Sequence, residues 1–135
     1  MDIAQQKPSK GICCDSAHSM KNGITEYRAN NLETGELIFY KNIGNKTINV
    51  GEFLALVDSI KWIIEHDFPD KTVYSDSMTA ITWFCNRKTY SKLKSNDLKK
   101  AEIYLKVMDF WVSKIKVIHW DKNLWGEIPS DFGNK

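Results

Sequence analysis

At 135 residues, with 42% hydrophobic and 12% aromatic side chains, the chain has the size and content of one domain with a real core. Its 19 Lys and Arg against 17 Asp and Glu leave a formal charge of only +2, so the placement of charge says more about partners than the sum. No apolar run approaches the ~18 residues of a membrane span, no charged-then-apolar leader opens the chain, and Cys13, Cys14 and Cys85 form no CxxC pair. A cytoplasmic protein with three buried, reduced thiols is the expectation.

Residues 1–10 are polar and include Pro8, which reads as a flexible N-terminal segment; residues 11–135 read as the folded domain. The run Ile12-Cys13-Cys14-Asp15 predicts a strand, Lys21-Asn22-Gly23 a turn, and Ile24 to Arg28 its hairpin partner. Glu33-Thr34-Gly35 is a second turn signal before a third strand over Glu36–Tyr40. From Asn49 the spacing of Val50, Phe53, Leu54, Val57, Ile60 and Ile64 predicts a long amphipathic helix ending before Pro69.

Val73 and Tyr74 predict a fourth strand that ends on Asp76, where Ser75-Asp76-Ser77 can cap a helix continued by Ala80, Ile81 and Trp83-Phe84. Trp83 and Phe84 continue the apolar face of that helix and read as core. The segment RKTYSKLKSNDLKK (87–100) is dense in cations, a helical pattern runs from Asp97 through Trp111-Val112, and IKVIHW predicts a last strand. Pro129 can open a very short final helix. The order β-β-β-α-β-α-α-β-α implies an α/β fold: a five-stranded mixed sheet, an antiparallel meander joined by helical crossovers to parallel strands, with helices on both faces.

Such a sheet can bring Asp15 of the first strand, Asp76 at the end of the fourth, and Glu52 in the first turn of the long helix to one edge. Taken singly, Asp76 also reads as a helix cap and Glu52 as a glutamate favoured by the helix dipole. Taken together, clustered acids repel one another unless hard cations lie between them, which is what a two-metal phosphodiester hydrolase requires. Asp131 would be a fourth ligand.

The stretches GICCDSAH, TINVGEFLALV, VYSDSMTAI and WGEIPSDFG together resemble the ribonuclease H family, cellular type 1, in a compact bacterial form, over roughly residues 11–135. The resemblance implies an endonuclease that hydrolyses the RNA strand of an RNA–DNA hybrid with two Mg2+ or Mn2+ ions, leaving 5′-phosphate and 3′-hydroxyl ends. Asp15, Glu52, Asp76 and Asp131 match the family's catalytic, metal-binding acids. Thr47 and Asn49 match residues that meet a DNA phosphate and the minor groove; helix capping is the plain alternative for both, and an equal one for Asn49. Arg87, Lys88, Lys92 and Lys94 resemble a reduced basic handle for the DNA strand; a solvated loop is the plain alternative. A monomer whose partner is the hybrid, with no protein or membrane partner, is expected.

Two features depart from the family pattern. The place of a mobile histidine falls near Asn123, which cannot take a proton, while His119 lies inside a strand and reads as structural, and His18 and His66 have no evident partner. The segment after Asp131 is short, so its placement is expected to rest on Trp125 and Phe132 packing. A non-catalytic nucleic-acid-binding domain is disfavoured because binding phosphate has no use for clustered negative charge. Another nuclease of the superfamily remains a rival, since fold does not fix substrate.

Overall fold

The computed structural model describes residues 6–92 and 95–133. Ile12–Ser19 (β1) pairs antiparallel over its whole length with Ile24–Asn31 (β2), and the Gly23 N–H closes the turn on Ser19 O at 2.8 Å. Gly23 sits at φ 64°, the left-handed conformation that such a turn demands of its glycine. Pairing with β2 therefore carries β1 beyond the ICCD run, through Ser16, Ala17 and His18. Leu37–Gly44 (β3) extends the meander as an edge strand.

Thr47 caps Ile48–His66 (α1), its side chain accepting the Val50 N–H at 3.3 Å. The crossover delivers Thr72–Ser75 (β4), which pairs parallel with β1 through Ile12↔Val73 and Cys13↔Tyr74. Ser77 caps Met78–Asn86 (α2), and Asn96–Val107 (α3) and Asp109–Val112 (α4) lead to Lys116–His119 (β5), parallel to β4. The mixed sheet has the order β3-β2-β1-β4-β5. The single helix expected through Val112 is interrupted at Met108, whose ψ of 17° departs from helical geometry. The short helix expected at Pro129 is a turn instead; Lys122–Trp125 (α5) forms earlier, capped by Asp121 accepting from Asn123 and Leu124 N–H.

Alternation along β1 splits the core between two faces. Ile12 and Cys14 join Phe53, Leu56 and Ile60 of α1, Trp83 and Phe84 of α2, Leu105 of α3 and Val112 of α4 in the main cluster, with Trp83 edge-on to Phe53 at 5.9 Å. Cys13 faces the other way, into a smaller cluster with Trp120 and Ile128, against which Trp125 packs. Cys13 and Cys14 are the buried thiols expected, but Cys85 is exposed because it falls on the outer side of α2. His119 is exposed on β5 as well, so the sheet core makes no use of it. Among the described residues no helix is long and apolar enough to cross a membrane.

Helix and sheet approach closely at Gly51, where an added Cβ would lie 2.1 Å from Ser16 Oγ and 3.0 Å from Thr25 Cγ2. A helix-interior Gly normally gains about 0.5–1 kcal/mol when replaced by Ala. Here the overpacking penalty of about 1–3 kcal/mol should win. Gly51→Ala is expected to be less stable in urea denaturation, and a variant as stable as wild type or more so would show that α1 does not depend on this close approach.

Candidate metal centre

The β4 strand stops at Ser75, while β1 continues to Ser19, so the far end of β1 has no strand neighbour on that side. The acids collect in this gap. Asp15 is 6% exposed on β1, Asp76 is half-buried immediately after β4, and Glu52 of α1 is 5% exposed. One carboxylate oxygen from each lies within 4.8 Å of the other two. Neither single-residue alternative explains the placement. Ser77 caps α2, accepting from Ala80 N–H at 3.1 Å, so Asp76 is not needed as a cap. Glu52 lies beyond the first turn of α1, which holds no acid, so the helix dipole gives little reason for its position.

Glu52 Oε1 accepts the Ser16 backbone N–H at 3.2 Å, while Oε2 is buried without a hydrogen-bond partner. Burial, and then the neighbouring charge of Asp15, push the Glu52 carboxyl well above the usual carboxylate range. Burial and then Asp76 push Asp15 up too. Burial also raises Asp76, with the nearby Lys122 charge pulling the other way. An orphaned buried oxygen and three carboxyls that resist joint ionisation are what a hard divalent cation with oxygen ligands would satisfy, so the donor set fits Mg2+ or Mn2+.

Asp131 lines the same cleft, of about 500 Å3, together with Asn49, Ser77, His18 and Lys122. It stands outside the three-acid group, and its Oδ2 accepts the Gly133 N–H at 3.0 Å. Its segment is held by more than the expected aromatic packing. Ser130 is fully buried, its hydroxyl lying 2.9 Å from Cys13 O and 2.8 Å from Asn30 Oδ1 as donor, and 3.2 Å from the Cys13 thiol. Arg28 donates to Ser130 O at 2.9 Å and Asp131 O at 2.5 Å, and its guanidinium lies 4.6 Å from the centre of the Phe132 ring. Trp125 packs on Trp120 at 5.2 Å, so that part of the expectation stands on a real contact.

The expected substrate-binding residues divide. Asn49 lines the cleft, whereas Thr47 spends its hydroxyl on the α1 cap and borders a second groove of about 770 Å3. That groove shares His18 and Ile48 with the cleft and reaches Ser91 and Ser95 in the cationic segment. His18 does have a partner there, Thr25 Oγ1 at 2.7 Å, and His66 has the Trp62 carbonyl at 2.9 Å. Lys88 and Lys92 are exposed; Lys94 lies outside the described residues. Arg87 is engaged within the fold: it takes φ 54° as the C-cap of α2, donates to Phe84 O at 2.8 Å, and pairs with Asp109 at 3.2 Å. Sequence reasoning missed Arg28, Ser130 and Lys122. Only Lys122 left a signal, as a cation two residues after the last strand in the neighbourhood of the site.

No known family model matches the sequence. The fold is similar to that of ribonuclease H1 from the halophilic archaeon Halobacterium salinarum NRC-1, with TM-score 0.52 and 15% identity over 84% of this chain and 86% of that one. It is similar to LC11 ribonuclease H1 in complex with an RNA/DNA hybrid, with TM-score 0.54 and 20% identity over 83% and 85%. It also resembles part of the Prototype Foamy Virus protease-reverse transcriptase, with TM-score 0.58 and 14% identity over 96% of this chain and 19% of that one. Identities this low speak for architecture alone, and the architecture of this chain is the ribonuclease H fold.

Proposed function

We propose that the protein is a metal-dependent endonuclease that hydrolyses the RNA strand of RNA–DNA hybrids and leaves 5′-phosphate and 3′-hydroxyl ends. The observation that carries this reading is the three-acid group at the open end of β1, with its partnerless Glu52 oxygen. Asp15, Glu52, Asp76 and Asp131 would hold two Mg2+ or Mn2+ ions. Bound there, the ions supply a lowered pKa for an attacking water and charge stabilisation for the leaving oxygen. Ser16 fixes Glu52 through its backbone N–H, and Arg28 and Ser130 fix the backbone that carries Asp131. Asn49 faces the substrate in the cleft and Thr47 borders the adjoining groove; Lys88, Lys92 and Lys94 would meet the DNA strand. With Arg87 already paired, its part in that contact requires exchange of Asp109 for phosphate. The domain spans residues 11–135 and acts as a cytoplasmic monomer. The three-acid group favours this reading over a non-catalytic binding module, because binding phosphate has no use for clustered negative charge.

The direct test is cleavage of labelled RNA–DNA hybrid, duplex RNA and duplex DNA with and without Mg2+ or Mn2+. Wild type is expected to cut only the RNA of the hybrid, and only with metal. Asp76→Asn should keep its circular dichroism spectrum and lose roughly 100-fold or more in rate, exceeding the cost of disturbing a group behind a ligand. A folded Asp76→Asn protein with near wild-type turnover would falsify the site assignment.

A second expectation concerns stability. Asp15 and Glu52 have folded-state pKa values raised above the unfolded ones, so the native protein binds more protons than the unfolded chain between those limits. Metal-free stability should be fully present below the ordinary carboxylate value of about 4 and decline as pH rises through the raised folded values. Mn2+ should offset the decline, by about 2.7 kcal/mol for one site at a hundred times its dissociation constant. Thermal melting across pH, with chelator or Mn2+, checks this. Equal pH slopes in wild type and Glu52→Gln without metal would show that Glu52 carries no such shift.

A further inference from the structure

Four carboxylates line the cleft, and two divalent ions would neutralise them, leaving nothing over for the negative phosphodiester that must enter. Lys122 is the one permanent cation among the described residues that line it. Its position is fixed from both sides. Trp120 N–H donates to Ser75 O at 2.8 Å, next to Asp76, and the fully buried Trp120 ring donates its own N–H to Gly126 O at 2.8 Å. Asp121 caps α5 between them, and Trp125 packs on Trp120, so the backbone of Lys122 cannot drift from the cleft. The side chain keeps its freedom: it is 57% exposed, and among the described residues its ion pair is a loose 4.0 Å contact with Glu127. An exposed pair at that distance contributes little and exchanges readily.

Resting on the reading above, we infer that Lys122 is the phosphate-binding residue of the cleft, supplying the unit of positive charge that the neutralised metal centre lacks. It swings from Glu127 to a non-bridging oxygen of the diester at the cut site as a point-charge donor. Before substrate enters, the same ammonium shares the field of Asp76 and Asp131 with the ions and competes with them. Its two effects therefore have opposite signs: it favours the hybrid and disfavours the metal. A lysine that merely solubilised α5 would do neither.

The test uses the full chain, with Lys122→Gln and Lys122→Arg beside wild type. Hybrid affinity is measured in Ca2+ over a range of salt, and metal binding alone by the Mn2+ concentration that half-completes the rise in melting temperature. Lys122→Gln should bind hybrid several-fold more weakly, with the slope of log affinity against log salt smaller by about 0.7–0.9, the change expected for one phosphate contact. Its Mn2+ midpoint should move several-fold lower, and Lys122→Arg should stay near wild type in both. Wild-type hybrid affinity in Lys122→Gln, or a Mn2+ midpoint that is unchanged or higher, overturns the inference while the nuclease reading stands. If wild type itself shows neither a Mn2+ shift nor hybrid binding, the nuclease reading falls and this inference falls with it.

Discussion

The contact on which the site depends is the seating of α1 against β1, where Gly51 lets the helix backbone close onto Ser16 and the next residue, Glu52, accepts the Ser16 N–H. A helix that stood off by the width of a methyl group would leave that strand amide unpaired and would move Glu52 away from Asp15. The cost of an orphaned buried N–H is about 1–3 kcal/mol. Packing and site geometry are thus one constraint: the close approach that completes the interlayer core also sets the spacing of the first two acids.

That arrangement is unfavourable for an apo protein. Asp15 and Glu52 are almost fully buried, and Asp76 joins them within 4.8 Å, so ionising all three sets like charges against one another in a poorly solvated place. The fold tolerates this because its apolar core is large: a continuous cluster runs from Ile12 to Ile115 and includes the edge-on pair of Phe53 and Trp83. Stability comes from the helix-covered face of the sheet, and the like-charge repulsion lies at the open end of β1. A cation bound there would relieve the repulsion without rearranging the core.

Much of this was legible in the sequence, and what was not has identifiable causes. The succession of strands along the chain, the meander turns and the position of Asp76 at a strand's end followed from local patterns at Gly23, Gly35 and Val73-Tyr74, because turn and strand chemistry act over a few residues. The full length of β1 did not, since Ser16 to Ser19 have no strand pattern of their own and are recruited by pairing with β2. The final helix was misplaced by reading Pro129 and passing over Asp121, a cap with its two acceptances already implied by the following Lys-Asn-Leu-Trp. Glu52 was assigned to the right helix but one turn too early, because the cap is Thr47 and not a residue nearer to it.

The placement of Asp131 shows most clearly where local reading stops. Proline, a half-buried Asp and a glycine give the segment no propensity of its own, and its nearest aromatic, Phe132, meets Arg28 and a tilted Tyr40 ring at 6.5 Å. What holds it is a serine whose partners, Cys13 and Asn30, are about a hundred residues earlier, and an arginine on β2 that grips two successive carbonyls. Neither residue type announces burial, since serine and arginine are mostly exposed in folded proteins. Both act on the backbone and leave the Asp131 carboxylate free of any bond to them. The segment is therefore fixed by its main chain while the Asp131 side chain lines the cleft.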